Sequence, residues 1–200
     1  MVTVLGLAGS PRRGGNTETL LDWCLEAARA EGAKVVKFRL CDLDLHGCRD
    51  CEGCWKKGEC IVKDDMQQLY PYLRTADSVV LAAPTYFMGM AAVPKMMVDR
   101  CQCFWALKYI LERSVRRPGG LPRLGAYLSC AGTKHPRVFE GAREVMKSLW
   151  HVLEVTPAGE LLVSGVDAKG EIGERPEARA EAEEIGRRLA REQAREKEET

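Results

Sequence analysis

The chain has no long apolar run, no excess charge of one sign and few aromatic residues. No stretch approaches the ~20 apolar residues that cross a bilayer, and the first residues lack the basic and apolar regions of a signal sequence. Lys and Arg number 30 against 29 Asp and Glu, so the net charge is +1. Such a balance gives no broad basic surface for nucleic acid or anionic lipid. We therefore expect a cytoplasmic protein with no nucleic-acid partner and no membrane partner.

Internal repeats and a second set of strand patterns are also absent. A chain of 200 residues with 46% hydrophobic content can build one well-buried core and is short for two. The sequence predicts one domain over residues 1–175, with a cysteine-rich insert at 46–62. Residues 176–200 are predicted to form a charged helix whose last residues, lacking an apolar side, are expected to fray.

Five segments predict strands, and helical patterns lie between them. Residues 2–8 and 78–83 are apolar almost throughout, as in central parallel strands that are covered on both faces. Residues 34–40 alternate, which is typical of an edge strand. The last two strands, 124–130 and 156–163, follow helices predicted at 94–111 and 138–153. This order predicts an α/β fold, a doubly wound five-stranded parallel sheet of order 2-1-3-4-5 with helices on both faces.

The loop after the first strand has the composition of a phosphate-binding turn. Residues 9–17 are rich in Gly, Ser, Thr and Asn and open a helix that Asn16 or Thr17 is expected to cap. Backbone N–H groups and the positive helix end would meet at one point, where a phosphate monoester can bind. The loop lacks the Gly-Lys-Ser/Thr of a Walker loop and the Gly-x-Gly-x-x-Gly of a dinucleotide fold. The alternative is an ordinary polar turn.

Two later loops are predicted to lie at the same edge of the sheet. The loop at 84–90 follows the third strand and is rich in aromatic and sulfur side chains. The loop at 131–136 follows the fourth strand, and its small residues would let a planar ring approach the backbone. Ligands of open α/β sheets bind at the carboxyl ends of the strands, near the point where strand order reverses. The alternative for the 84–90 loop is packing against its own helix or a second subunit.

Four of the nine cysteines lie within thirteen residues, spaced C-x2-C-x2-C-x5-C. An odd number concentrated in one place disfavours a secreted disulfide scaffold. Four thiolates match the ligand count of a [4Fe-4S] cluster or a tetrahedral zinc, and the compact spacing favours iron–sulfur over zinc. The third interpretation is that these cysteines are free or redox-active thiols. The four residues are Cys48, Cys51, Cys54 and Cys60, while Cys101 and Cys103 are expected to be buried thiols.

These motifs in this order resemble one family. The stretches Gly9-Ser10-Pro11-Arg12 to Asn16-Thr17, the cysteine run with Asp64-Asp65-Met66 behind it, and Pro84 to Gly89 look like the flavodoxin-like NAD(P)H-dependent FMN reductases. Within that family they resemble the iron–sulfur flavoproteins. The resemblance covers residues 1 to about 163, and it implies a flavodoxin-like fold.

The resemblance also implies the cofactors and the residues that hold them. FMN is expected at the sheet edge and NAD(P)H as a cosubstrate, in a homodimer or homotetramer. A [4Fe-4S] cluster is expected on the four cysteines, where it would exchange electrons with the flavin. The implied FMN residues are Ser10, Arg12, Asn16 and Thr17 at the phosphate; Pro84, Thr85, Tyr86, Phe87, Met88 and Gly89 around the isoalloxazine; and Cys130, Ala131, Gly132 and Thr133 on its other side.

The leading hypothesis is therefore a flavin-dependent oxidoreductase that takes electrons from NAD(P)H or ferredoxin. The flavin carries the chemistry, so no side chain is assigned as catalytic acid or base. A flavodoxin-like electron carrier or redox sensor without turnover of its own is the alternative. Basic residues around the predicted site favour anionic partners such as NAD(P)H or an acidic ferredoxin. A third hypothesis is a binding protein with no redox role, whose cysteines hold a structural zinc ion. The basic residues are Arg12, Arg13, Lys56, Lys57 and Lys134.

Overall fold

A computed structural model describes residues 1–116 and 122–198, and these form a five-stranded sheet with helices on both faces and a separate two-stranded hairpin. The strands are β1 Thr3–Ala8, β2 Lys34–Arg39, β3 Ser78–Ala82, β4 Thr85–Tyr86, β5 Gly89–Met90, β6 Arg123–Ala131 and β7 Val155–Ser164. The helices are α1 Asn16–Ala30, α2 Met66–Thr75, α3 Ala92–Arg100, α4 Gln102–Tyr109, α5 Glu140–Leu153 and α6 Pro176–Glu198. No helix among these residues is both long enough and apolar enough to cross a membrane.

The central sheet has five parallel strands in the order β2-β1-β3-β6-β7. This confirms the predicted flavodoxin-like order 2-1-3-4-5, because β6 and β7 are the fourth and fifth strands of that sheet. The inner strands β1, β3 and β6 are buried along nearly their whole length, whereas β2 at the edge is only partly covered. The burial agrees with the apolar and alternating patterns that predicted these strands.

Two apolar layers cover the sheet. Helices α1 and α6 pack on one face, with Leu21 of α1 and Leu189 of α6 fully buried. Helices α2 to α5 cover the other face, where Leu73 and Phe104 are buried. On the inner side of α6, Ala178 and Ala182 are buried against the sheet, whereas Ala180 between them is exposed.

The C-terminal helix reaches further along the sheet than its pattern predicts. Gln193 is fully buried and donates to the Pro122 carbonyl at 2.6 Å, and Lys197 pairs with Asp77 at 2.8 Å. These polar contacts hold the last turns of α6, where the sequence has no apolar stripe. Fraying was predicted for the last residues of this helix, yet α6 is helical as far as Glu198; residues 199–200 lie outside the described residues.

The helix predicted over 94–111 is in fact two helices that meet at Cys101. The Phe104 N–H donates to the Cys101 carbonyl at 2.8 Å, so it does not continue the helical ladder to Arg100. The Arg100 carbonyl instead accepts the Tyr70 hydroxyl at 3.1 Å and the Cys103 thiol at 3.6 Å. The Tyr70 hydroxyl from α2 and the Cys103 thiol thus replace the helical hydrogen bond, and the chain turns there. Cys101 and Cys103 are buried, as predicted.

Candidate functional site

A cavity of about 360 Å³ opens at the carboxyl ends of β1, β3 and β6. This volume lies in the range of small-molecule sites. The structure brings all the predicted FMN residues to its wall except Gly89, which lies in β5 beyond the turn. Gly15 also lines the cavity and lies in the predicted phosphate loop 9–17, whereas Val138, Val166 and Asp167 were not predicted. The full lining is Ser10, Arg12, Gly15, Asn16, Thr17, Pro84, Thr85, Tyr86, Phe87, Met88, Cys130, Ala131, Gly132, Thr133, Val138, Val166 and Asp167.

The first loop wraps tightly around the start of α1. The Gly15 N–H donates to the Arg12 carbonyl at 3.0 Å, and the Arg12 N–H donates to the Ser10 hydroxyl at 3.2 Å. A Cβ at Gly15 would lie 2.9 Å from both the Arg12 Cβ and the Arg12 carbonyl oxygen, so the turn has no room for a side chain. Gly15 is the N-cap residue and offers no side-chain cap. The first N–H groups of a helix have no intrahelical partners, and at α1 no side chain of the N-cap residue occupies them, so they are free to bind an anion at the cavity wall.

Asn16 does not cap α1, contrary to the prediction, because its side chain bonds to a distant segment. Its amide donates to the Ala168 carbonyl at 2.8 Å, and its oxygen accepts the N–H groups of Gly170 at 3.0 Å and Ile172 at 3.3 Å. The carboxamide thus ties residues 168–172 to the first loop. Residues 168–172 directly follow Val166 and Asp167, which line the cavity beside the three loops. Asn16 therefore helps to hold this additional side of the cavity, the fourth wall, in place.

A buried carboxylate supports the first loop from behind. Glu18 accepts the Gly14 N–H at 2.9 Å, the Lys37 ammonium at 2.8 Å and the Arg39 guanidinium at 2.9 Å. Burial alone would raise the pKa of Glu18, but these hydrogen bonds and the two positive charges hold it below its ordinary value. Arg39 also donates to the Ser10 carbonyl at 3.3 Å. These hydrogen bonds hold the loop in place. The charges of Lys37 and Arg39 also offset the negative charge of Glu18 near the start of α1.

The second loop is a small hairpin with a strained tip. Strands β4 and β5 pair so that Tyr86 faces Gly89, which leaves Phe87 and Met88 as a two-residue turn. Both have positive φ, 48° and 63°, as a type I′ turn requires, although such turns normally use Asn and Gly. Strain at bulky residues concentrates at functional sites. The Phe87 side chain is fully exposed, so it contributes little packing that would offset this strain.

The hairpin is anchored to the sheet and to α5. The Ser129 hydroxyl donates to the Ala83 carbonyl at 2.7 Å and lies 3.1 Å from the Thr85 hydroxyl. On α5, a Cβ at Gly141 would come within 2.6 Å of the Met88 carbonyl oxygen, so helix and turn are in close contact. These contacts hold the aromatic and sulfur side chains of the turn at the cavity rim.

The third wall is formed by small residues after β6. Cys130 is buried, and burial raises the pKa of its thiol to about 11 despite a hydrogen bond with Thr17. The thiol is therefore neutral at physiological pH. A Cβ at Gly132 would lie 3.0 Å from the Asp167 side chain, so the third wall is in close contact with the fourth. The Arg12 guanidinium donates to the Asp167 carbonyl at 2.7 Å and joins the first wall to the same segment.

The four clustered cysteines lie on a loop with a short 3-10 turn at Gly53–Trp55. Asp50 and Glu52, between the cysteines, both have positive φ, and so does Gly58. Burial raises the pKa of Cys54, and the charges of Cys60, Cys48 and Cys51 raise it further, so all three neighbours act on this thiol. Within residues 1–116 and 122–198, no three His, Cys, Asp or Glu side chains already stand at the spacing of a metal site. Four free cysteines on one loop are still a donor set suited to an iron–sulfur cluster.

A buried ion pair joins the two ends of the loop that carries Cys48, Cys51, Cys54 and Cys60, here called the cysteine loop. Arg100 is 1% exposed and its guanidinium contacts both carboxylate oxygens of Asp64, whose side chain is fully buried. The same guanidinium donates to the His46 carbonyl at 2.8 Å, and the His46 N–H donates to Asp64 at 3.0 Å. Burial would raise the pKa of Asp64, but Arg100 and the backbone donors lower it. The pair thus joins His46, two residues before Cys48, to the segment that follows Cys60.

Comparison with known proteins agrees with this geometry. A sequence model described as NADPH-dependent FMN reductase matches residues 2–158. An iron–sulfur flavoprotein of Archaeoglobus fulgidus is 29% identical over 186 residues, which are 93% of this chain and 78% of that protein. One of Methanocaldococcus jannaschii is 37% identical over 97 residues, 48% of this chain and 50% of that protein. A solved flavone reductase superposes with a TM-score of 0.72 at 18% identity, over 96% of this chain and 63% of that one, which shows a shared fold.

Proposed function

Because the chain belongs to the NADPH-dependent FMN reductase family and is an FMN-dependent oxidoreductase, we propose that it moves electrons between NAD(P)H or a ferredoxin, FMN and a [4Fe-4S] cluster. When bound, FMN exchanges electrons in pairs or singly, and the cluster exchanges them one at a time. The protein's part is to bind these groups, orient them and limit the access of water.

The observation that carries the proposal is the cavity at the sheet edge, where three loops and the segment at 166–167 meet. The uncapped start of α1, with Ser10 and Thr17, would bind the FMN phosphate, and Arg12 would add a positive charge. Residues 84–88 would line one side of the isoalloxazine and residues 130–133 the other. Asn16 acts by holding the fourth wall in place, with one amide hydrogen left for a ligand.

The cluster would be held by Cys48, Cys51, Cys54 and Cys60. Supporting this, all four cysteines are free and lie on one loop, and the Asp64–Arg100 pair fixes both ends of that loop. Gln67 adds a further restraint, since its amide donates to the Cys60 carbonyl at 3.2 Å and to the Val62 carbonyl at 2.7 Å. Such supports commonly decide how well a site holds its metal.

We further propose a homodimer or homotetramer, with residues 1–175 as the FMN-binding unit. The exposed apolar hairpin tip at 86–88 supports association, because exposed apolar patches of this kind mark contact surfaces. Helix α6 packs along α1 and completes one face of that unit.

The test is anaerobic purification followed by cofactor analysis and turnover assays. We expect about one FMN and about four iron atoms per chain, with steady oxidation of NADH or NADPH when a quinone or free flavin is supplied. Bound FMN without turnover would favour the carrier or sensor. One zinc and no iron per chain would mean that the four cysteines hold a structural zinc ion and no cluster. Protein that takes up no FMN would overturn the proposal.

A further inference from the structure

Asp167 lies in the fourth wall of the cavity, and its backbone is held on both sides. Its N–H donates to the Glu171 carboxylate at 2.7 Å, and its carbonyl accepts the Arg12 guanidinium at 2.7 Å. Val166 before it is buried, and the carboxamide of Asn16 holds the residues after it. The backbone of Asp167 is therefore fixed, while its side chain is exposed at the cavity.

The carboxylate of Asp167 is not used by the fold. The Arg12 guanidinium lies 4.0 Å from Oδ1, which is too far for a hydrogen bond. In the part of the chain that the structure describes, the hydrogen bonds of Asp167 are made by its backbone, and none reaches the carboxylate oxygens. An ionised carboxylate accepts hydrogen bonds and donates none. Both oxygens are thus available to a ligand that carries donors.

The position of this carboxylate adjoins two parts of the proposed flavin site. A Cβ at Gly132 would lie 3.0, 3.1 and 3.4 Å from Cβ, Cγ and Oδ1 of Asp167, so the carboxyl group packs against the Gly132 backbone. Gly132 belongs to the wall proposed for the isoalloxazine, and Arg12, 4.0 Å from the same Oδ1, belongs to the proposed phosphate site. All three residues line one cavity. Asp167 therefore adjoins both the ring end and the phosphate end of the site.

The part of FMN that joins its ring to its phosphate is the ribityl chain, which carries hydroxyl groups. These hydroxyls are donors, and an acceptor that adjoins both ends of the site is suited to them. A hydrogen bond to an ionised group is about twice as strong as one between neutral groups. Because the backbone of Asp167 is already fixed, little ordering of the chain would oppose this contact.

We propose that Asp167 is a specificity-determining residue of the flavin site, and that its carboxylate accepts a hydrogen bond from a hydroxyl group of the ribityl chain. The inference rests on the proposed function, because it requires FMN in this cavity. It adds that the fourth wall selects the hydroxylated chain of the cofactor, whereas the three loops bind its phosphate and its ring.

The test titrates flavin-free protein, by fluorescence, with FMN and with an analogue in which a plain alkyl chain of the same length joins the ring to the phosphate. Asp167→Ala should bind FMN about tenfold more weakly than the wild type and should bind the analogue with unchanged affinity. The ratio of the two affinities therefore falls about tenfold. Asp167→Asn should lie between, since its amide oxygen still accepts a hydrogen bond but carries no charge.

A matched control is Asp99→Ala. Asp99 is also exposed and pairs with a basic residue, Lys95, at 2.6 Å, but it lies on α3 and is not part of the cavity lining. This variant should bind both ligands as the wild type does.

The two ligands separate the inference from the proposal on which it rests. If the wild type binds no FMN, the proposed function fails and the inference fails with it. If the wild type binds FMN and Asp167→Ala weakens both ligands equally, the residue only supports the wall, and the inference alone is wrong. It is also wrong if Asp167→Ala binds both ligands more tightly, since the carboxylate would then merely repel the phosphate, or if the variant keeps the wild-type ratio.

Discussion

Replacing Arg100 with Met should lower the free energy of unfolding by about 3–5 kcal/mol. The change leaves the fully buried Asp64 carboxylate without its charged partner and removes the donor to the His46 carbonyl. Both losses fall on the base of the cysteine loop, so iron uptake should fall with stability. Chemical unfolding of the flavin-free protein, followed by circular dichroism, measures the first effect, and iron content after reconstitution measures the second.

A matched control lies on the same helix. Lys95 pairs with Asp99 at 2.6 Å, but both side chains are exposed, so Lys95→Met should change stability by at most about 1 kcal/mol. The double variant Arg100→Met with Asp64→Leu should lose less than the sum of the two single changes, because it leaves no buried charge unpaired. Equal losses for Lys95→Met and Arg100→Met would contradict the structural role assigned to the pair.

The pair also predicts an acid dependence whose sign follows from the lowered pKa of Asp64. A carboxyl group with a lower pKa in the folded protein binds more protons when unfolded. Its stabilisation is complete above its ordinary value, 3.8, and is lost as the pH falls through the folded value. Asp64→Asn should therefore be less stable at neutral pH and should lose less stability on acidification than the wild type.

Replacing Gly15 with Ala should weaken FMN binding by about 10- to 100-fold, because the new Cβ displaces the loop that would bind the phosphate. That Cβ would meet the Arg12 backbone at 2.9 Å, where neither a rotamer change nor a small tilt gives room. A shift of the turn moves the first N–H groups of α1 away from the anion. Fluorescence titration of flavin-free protein with FMN measures the change.

Gly173→Ala is the control for this substitution. Gly173 lies in the 3-10 turn at Glu171–Glu174, and a Cβ there would meet nothing within 4 Å. FMN affinity of this variant should match the wild type. If Gly15→Ala binds FMN as tightly as Gly173→Ala does, the first loop is not the phosphate site.

The sheet could be predicted from sequence because its signal is local. Apolar runs such as 2–8 and 78–83 mark strands covered on both sides, and the helical patterns between them require parallel crossovers. Topology then places the ends of β1, β3 and β6 at one edge, which is why three of the four cavity walls could be anticipated.

The structural features that the sequence did not predict depend on hydrogen bonds between residues far apart in the chain. Asn16 was expected to cap its own helix, yet it binds a segment about 150 residues away, so the fourth wall at Val166 and Asp167 was missed. The break at Cys101 arises because Tyr70, on another helix, bonds to the Arg100 carbonyl. A helical pattern in one segment carries no information about such partners.

The most direct test of the central claim, that three loops of one sheet edge bind a flavin phosphate ester, is to titrate flavin-free protein with FMN and with riboflavin. The two ligands share the ring and differ in the phosphate. We expect about one FMN per chain and binding of riboflavin weaker by roughly 100-fold, since the charged hydrogen bonds at the start of α1 are lost. Equal affinity for both ligands, or no binding of FMN, would contradict it.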